Sequence, residues 1–367
     1  MRVTVVGAGI MGLSCAWELD RLGHQVTVIE QATIPNPLGS SGDQHRVIRY
    51  AYGAELGYQR MVGEAYAAWD RLWADLGERL IVDTGTLALD VDGGEWSSRS
   101  AKNLAADGHA VTWLDQAALV RRFPLVAAAG VERAFHLSTG SVLFAERITA
   151  ALGRYLAGRG VEIRTNTAAR SVDPEAGRVV LADGTAIDAD AVVVAAGPWI
   201  DRLLPAFSGR VTPSRQLTVY LDPPAAIAAQ WRSMPMLLDI GLTSGFYAVP
   251  PVGGTGLKVG DHIFSLSGDP DHDREALRDE AATILADCRR RLADFDAYRL
   301  TQVKTCFYTV EPKERFVIEP IGRRGWAMSP CSGHGFKFGA LLGSAVARAV
   351  VGEARPDITA WAAGMAA

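Results

Sequence analysis

Met1-Arg2-Val3-Thr4-Val5-Val6-Gly7-Ala8-Gly9-Ile10-Met11-Gly12 is the stretch that decides the fold. A β-branched run of this length reads as a buried parallel strand, and three glycines at GxGxxG spacing follow it at once. Gly7 permits a tight turn, Gly9 lets the backbone approach a pyrophosphate, and Gly12 lets the next helix pack closely on the strand. The amides at the N-terminus of that helix then face the phosphates. Further out, Ala16 lies one helical turn past Gly12, Gly23 ends the helix, and Gln25 to Ile29 forms a second strand ending at Glu30. A carboxylate at about twenty residues from the motif suits a ribose diol. The glycine spacing and Glu30 together predict a dinucleotide site, because an ordinary glycine-rich turn accounts for neither. The motif alone does not separate FAD from NAD.

With 367 residues, 49% of them hydrophobic and 21% charged, the chain can bury a substantial core, and its length points to about two domains. Lys plus Arg number 37 against 41 Asp plus Glu, a formal net charge of -4, and no stretch gathers the basic residues that a nucleic acid would need. The four cysteines, Cys15, Cys288, Cys306 and Cys331, form no CxxC pair, which argues against a disulfide scaffold or zinc cluster and for a reducing setting. The seven histidines are scattered without metal-ligand spacing. The first apolar run, Val3 to Ile10, is too short to cross a membrane and is broken by glycines where a signal peptide is continuous. The expected location is the cytoplasm, with no membrane or nucleic-acid partner.

Beyond the loop Pro35 to Gly42, apolar positions including Met61, Ala65, Trp69, Leu72 and Leu76 recur at helical spacing, predicting a helix over 58–80 with Trp69 and Trp73 in the core. Gly85 to Val91 reads as a strand, Arg147 to Gly158 as a helix and Val161 to Thr165 as a strand. Arg178 to Leu181 and Ala186 to Ala189 form a hairpin about Asp183-Gly184. Ala191 to Trp199 is a buried strand returning to a glycine, as a cofactor-domain sheet needs. From Arg210 to Glu311 the pattern alternates, as in Leu217 to Leu221 and Gly245 to Val249, with one helix over 274–293. Gly325 to Ser329 reads as a strand, Gly333 to Gly339 as a turn and Ala340 to Val351 as a helix, so that the second glycine-rich turn can aim amide dipoles at an anion. The fold class is α/β: a Rossmann-like nucleotide-binding domain interleaved with a mixed, largely antiparallel β-sheet domain.

Several segments together resemble the monomeric sarcosine oxidase group of the D-amino-acid-oxidase-like (DAO) flavoproteins, over nearly the whole chain. They are the glycine motif with Glu30, the run Ser41-Gly42-Asp43-Gln44-His45-Arg46-Val47-Ile48-Arg49-Tyr50-Ala51-Tyr52-Gly53, Gly256 to His262, Thr305 to Thr309, and Gly333 to Phe338. The resemblance implies an FAD-binding domain from 1–80, 141–207 and 312–367, covered by a substrate domain from 81–140 and 208–311. It also implies oxidation of a secondary, N-methyl or cyclic amino acid to an imine, with oxygen reduced to hydrogen peroxide. The flavin supplies that redox chemistry and the protein positions it.

Residue by residue, the resemblance puts Cys306 where the flavin is carried covalently, although cysteine taken alone is more often a buried structural thiol. Arg46 lies close to the flavin; Arg49 and Lys337 grip the substrate carboxylate, unless the two arginines merely form structural ion pairs. Lys258 matches a lysine over the flavin that promotes oxygen reduction, because a fixed cation stabilises a superoxide-like anion. Taken alone it would be a solvated lysine ending a strand. His262, Tyr247 and Tyr308 flank the amine, and Ser41, Ala169, Gly197, Gly333, Gly335 and Phe336 join Gly7, Gly9, Gly12 and Glu30 around the cofactor. No metal is implied, and the oligomeric state, a monomer included, stays open. Three departures bear on the substrate: His45 replaces threonine, Ala54 replaces glutamate and Asp261 replaces an aromatic residue. The expected partners are a small amine bearing a carboxylate, larger than or different from sarcosine, and molecular oxygen. The alternative is a flavin-dependent dehydrogenase passing electrons to a non-oxygen acceptor, against which Lys258 argues.

Overall fold

A computed structural model describes residues 1–91, 93–241 and 245–365. Its first large sheet has six strands and is built from distant parts of the chain. At its centre β1 (Arg2–Val6) runs parallel to β2 (Gln25–Ile29) on one side and to β13 (Ala191–Val194) on the other. β9 (Glu162–Arg164) continues parallel beyond β2. β20 (Gly325–Ser329) lies parallel to β13, and β19 (Val317–Ile321) closes that edge antiparallel. Strands buried on both faces need apolar side chains at every position. Val3 and Val5 accordingly pack with the helix Ile10–Arg21, whereas Val6, Val192 and Val194 pack with Ile200, Phe207 and Leu181 on the opposite face. The helices Ile10–Arg21 and Gly339–Val350 approach closely, since a Cβ at Gly343 would stand 2.5 Å from that of Ser14.

The hairpin of β11 (Arg178–Leu181) and β12 (Ala186–Asp188) forms about Gly184, whose φ is +90°. It belongs to a separate three-stranded sheet with β10 (Ala169–Asp173).

The second large sheet has eight strands, in the order β18 (Arg299–Val310), β14 (Thr212–Asp222), β17 (Leu257–Asp261), β16 (Gly245–Val249), β15 (Met236–Ile240), β5 (Thr86–Val91), β7 (Val131–Leu137) and β6 (Thr112–Leu114). All pairs are antiparallel except β15 with β5, where Leu237 stands opposite Leu87. One face packs Leu87, Val219, Leu257 and Val259 against Trp231, Ile284 and Leu119. A small third sheet joins β3 (Arg46–Ile48), β8 (Ser141–Leu143) and β4 (Ile81–Asp83).

Two helices differ from the sequence expectation. The helix over 58–80 spans Leu56–Leu76, because Gly77 enters the left-handed region at φ +70° and its amide bonds the Trp73 carbonyl, the usual helix stop. The helix over 274–293 spans only Ala282–Arg291, after a single 3-10 turn at Asp279–Ala281. The carbonyls of Asp273, Arg274 and Glu275 are taken by the side chains of Arg215 and Thr305, which leaves no helical ladder for that segment. Among the described residues no helix is long and apolar enough to cross a membrane.

Candidate active site

One cleft of about 800 Å³ is lined by residues from both large sheets and from the loops between them. Its walls bring together Gly7, Gly9, Glu30, Ser41, Arg46, Arg49, Ala169, Gly197, Tyr247, Lys258, His262, Tyr308, Gly333, Gly335, Phe336 and Lys337. Gly12 and Cys306 stand behind the lining.

At Gly7, φ is +104° and a Cβ would fall 2.3 Å from the Ala195 carbonyl oxygen, so only glycine fits. Gly12 works from beneath, where a Cβ would lie 1.9 Å from the Gly7 oxygen. Ser41 Oγ accepts from the Ile10 amide at 3.0 Å and so caps the helix that the motif opens. Glu30 is buried: Oε2 accepts from the Ala8 amide at 2.8 Å, and Oε1 accepts from Ala32 N at 3.0 Å and Asn36 Nδ2 at 2.9 Å. These bonds hold the carboxylate at the end of β2, beside the turn. The bare backbone at Gly9, the helix N-terminus and Glu30 fit a dinucleotide, with the amides offered to phosphate and the carboxylate to ribose.

The second glycine turn is equally constrained, since a Cβ at Gly335 would lie 1.8 Å from the Pro330 oxygen. It carries Lys337 into the wall, 3% exposed, where Nζ donates to Tyr52 Oη and to the His334 carbonyl, both at 2.9 Å. The guanidinium of half-buried Arg49 lies 4.9 Å from the Tyr52 ring and 5.4 Å from the Trp96 ring, and donates to the Ala51 carbonyl. Among the described residues neither cation has a carboxylate partner. Burial pushes both pKa values down, with the Arg49 charge depressing Lys337 further.

A denser network occupies another wall. Lys258, on β17, is 3% exposed and pairs with Asp43, while its Nζ also reaches the His45 carbonyl at 3.4 Å. Asp43 accepts from Arg46 Nη1 at 2.6 Å and from Tyr220 Oη at 2.6 Å. Although burial opposes it, these cations hold the Asp43 carboxyl well below the usual carboxylate range. Burial and Arg46 bring Lys258 down to about 8 against the pull of Asp43. His45 is fully buried with both ring nitrogens unpartnered, and burial and Lys258 hold it down to about 3.

Tyr247 and His262 meet edge to face at 5.6 Å, and a Cβ at Gly260 would lie 2.6 Å from the Tyr247 hydroxyl, so Gly260 makes room for it. The surrounding protein and Arg49 hold His262 down to about 4, although its ring presents surface to the cleft. Burial raises the phenols of Tyr247 and Tyr308 well above their ordinary value. Cys306 accepts a weak hydrogen bond from Arg46 Nη2 at 3.8 Å, whereas Cys331 lies in the wall itself. Strand alternation puts Asp261 on the face of Leu257 and Val259, where burial and Asp287 raise its carboxyl. Its carboxyl therefore leaves the Lys258 face, while the residue itself still lines the cleft at the end of β17. His45 and Ala54 line the cleft as well, so all three departures touch it.

Sequence reasoning assigned no role to Asp43, Tyr52, Trp96, Tyr220 or His334. Asp43 carried a signal, because an acidic residue three before Arg46 in an otherwise apolar stretch pairs locally. Trp96 and Tyr220 carried none, since tertiary packing alone brings them to the site.

The chain matches the family model described as FAD dependent oxidoreductase (DAO) over residues 2–349. Among curated proteins it is 26% identical to the monomeric sarcosine oxidase of Bacillus sp. (strain B-0618) over 97% of this chain and 94% of the relative. It is also 26% identical to the N-methyl-L-tryptophan oxidase of Yersinia pestis (strain Pestoides F), covering 97% of each. Among solved structures, the open form of NikD, an unusual amino acid oxidase essential for nikkomycin biosynthesis, superposes with a TM-score of 0.83 at 22% identity, covering 98% of this chain and 96% of that one. L-proline dehydrogenase from P. horikoshii superposes with a TM-score of 0.84 at 18% identity, covering 99% and 96%, and shares the fold. With the glycine cradle, Glu30 and the family match in agreement, the chain belongs to the DAO family of FAD-dependent oxidoreductases.

Proposed function

We propose that the protein is an FAD-dependent amine oxidase acting on the C–N bond of a secondary amino acid, N-methylated or cyclic, with oxygen as the electron acceptor. The observation that carries this reading is the pair of cations Arg49 and Lys337, facing the cleft that holds the nucleotide cradle and lacking a carboxylate partner among the described residues. Burying charge is costly unless a partner arrives, and a substrate carboxylate is the partner that fits both donors. Bound there, the substrate is held in one orientation, which converts an encounter into a fixed approach.

FAD, when bound, supplies the electron-accepting ring. Gly7, Gly9, Glu30, Ser41, Ala169 and Gly197 would hold its nucleotide part, with Gly12 beneath them; Arg46, Gly333, Gly335 and Phe336 would lie along the ring. Cys306 would carry the ring covalently, with Arg46 beside its sulfur. Tyr247, Tyr308 and His262 flank the amine and keep water out, and Lys258 contributes the fixed positive charge that oxygen reduction needs. The cofactor part is drawn from 1–80, 141–207 and 312–367, and the covering part from 81–140 and 208–311. The four free thiols suit a cytoplasmic enzyme. His45 and Ala54 in the wall favour a substrate other than sarcosine.

The test is hydrogen peroxide release from the air-equilibrated protein against sarcosine, larger N-methyl amino acids, proline, pipecolate and the matching primary amino acids. Turnover confined to carboxylate-bearing secondary amines supports the proposal. A second reading, a dehydrogenase with a non-oxygen acceptor, is favoured by the engagement of Lys258 with Asp43. It predicts anaerobic bleaching of the flavin by substrate without peroxide in air.

A further inference from the structure

Asp43 sits at the junction of four side chains. On one oxygen it receives Lys258 and Arg46; on the other it receives the Tyr220 hydroxyl, with Lys304 Nζ at 3.8 Å. As whole residues Asp43 and Lys258 are 4% and 3% exposed. Lys258 comes from β17, and Tyr220 stands directly opposite it on β14, so the sheet fixes both ends of the contact. A lysine on a flexible four-carbon stem normally keeps its head in water. Here the head is drawn inward and pinned.

We propose that Asp43 is a positioning residue for Lys258, fixing the place of its ammonium in the cleft wall and keeping it charged there, with Tyr220 and Arg46 locking the carboxylate. This rests on the proposed part of Lys258 as the fixed cation of the site and names what holds it. Around the ammonium, the loop before β3 contributes Asp43 and the His45 carbonyl and ring, and β3 contributes Arg46. β14 contributes Tyr220, and β18 contributes Cys306, with Lys304 on the far side of Asp43. Among these only Asp43 is a carboxylate. Its removal leaves burial and Arg46, both of which favour the neutral amine. The same carboxylate also bridges Lys258 to Arg46, whose other nitrogen reaches Cys306, so one anion organises both ends of the wall.

The chain contains five lysines, Lys102, Lys258, Lys304, Lys313 and Lys337, so lysine labelled with carbon-13 at Cε gives a spectrum simple enough to assign by single substitutions. The experiment follows the Lys258 resonance of the purified holoprotein with pH, in wild type, Asp43→Asn, Asp43→Glu and Tyr220→Phe. The expected result is a Lys258 midpoint that falls by about one pH unit or more in Asp43→Asn and returns toward wild type in Asp43→Glu. Tyr220→Phe, which leaves the carboxylate more basic, moves the midpoint the other way. Loosening of the wall would instead hydrate Lys258 and raise its midpoint in every variant. A midpoint unchanged or raised in Asp43→Asn overturns the proposal. If that variant does not fold, Asp43→Ser takes its place, and a midpoint unchanged or raised there overturns the proposal. The resonance reports on Lys258 whether or not peroxide is released, so failure of the oxidase reading is recognised separately.

Discussion

Tyr52 accepts a hydrogen bond from Lys337 at 2.9 Å while its ring lies 4.9 Å from the Arg49 guanidinium, so one side chain touches both cations proposed to grip the substrate. Each of those cations raises the free energy of the ligand-free protein and is relieved when an anion binds. Replacing Arg49 or Lys337 by Met should therefore lower kcat/KM by at least about thirtyfold, since truncating one partner of a buried charge pair costs about 2–5 kcal/mol. The melting temperature of the ligand-free protein should not fall, because an apolar side chain replaces an unrelieved buried charge. Steady-state kinetics and thermal melts of the same samples check this, and equal losses of both would point to a structural role. Because burial and Arg49 lower the Lys337 pKa, KM should also rise at a lower pH than an ordinary lysine would give.

Arg46 in the cleft wall donates a weak hydrogen bond to Cys306 just behind it. If the thiol carries the flavin, acid precipitation leaves a yellow pellet from wild type and a colourless one from Cys306→Ala. A colourless wild-type pellet ends the covalent assignment and leaves FAD itself in place. Cys331→Ala is the matched control, because that thiol lies in the wall and should not change the colour.

His45 predicts acid sensitivity. Burial and Lys258 hold its imidazole down to about 3 against an ordinary 6.5, so between these values the unfolded chain binds more protons than the folded one. Stability is therefore lost as pH falls from about 6.5 toward 3, by a few kcal/mol at most for this single group. His45→Gln should flatten that limb in denaturant melts at pH 7, 5 and 4. An unchanged slope would show that other groups carry it.

Two glycines of the first motif should fail differently. Gly12→Ala puts a Cβ 1.9 Å from the Gly7 carbonyl and should depress folding itself, whereas Gly9→Ala meets only Ser41 Oγ at 3.3 Å. The second variant should fold and lose flavin, because its methyl group occupies the approach to the pyrophosphate. Expression yield read against the ratio of flavin to protein absorbance separates the two.

Where local chemistry and tertiary placement coincide, the site was legible in the sequence. The Gly7 to Gly12 spacing, Glu30 and Gly335 are backbone requirements written directly into residue types, and the parallel sheet around β1 follows from its apolar run. The periodicity over 274–293 is real, but the carbonyls at 273–275 are captured by Arg215 and Thr305, which are distant in sequence, so the helix forms only from Ala282. For the same reason the partners of Lys258 were invisible. Asp43 is 215 residues away, and only the pairing of β14 with β17 brings Tyr220 and Lys258 opposite each other.

The six-stranded sheet sets a timetable for the newborn chain. β1 leaves the ribosome before its neighbours: β13 follows once only three strands of the eight-stranded sheet have been made, and β20 only after all eight. At ordinary rates of synthesis the gap between β1 and β20 is on the order of half a minute, during which the apolar face of β1 lacks its full cover. The turn bearing Lys337 emerges later still, so a flavin can meet the first glycine cradle well before the second exists. Chaperone dependence during translation, and flavin supply at that moment, would set the yield of active protein more than the stability of the finished fold does.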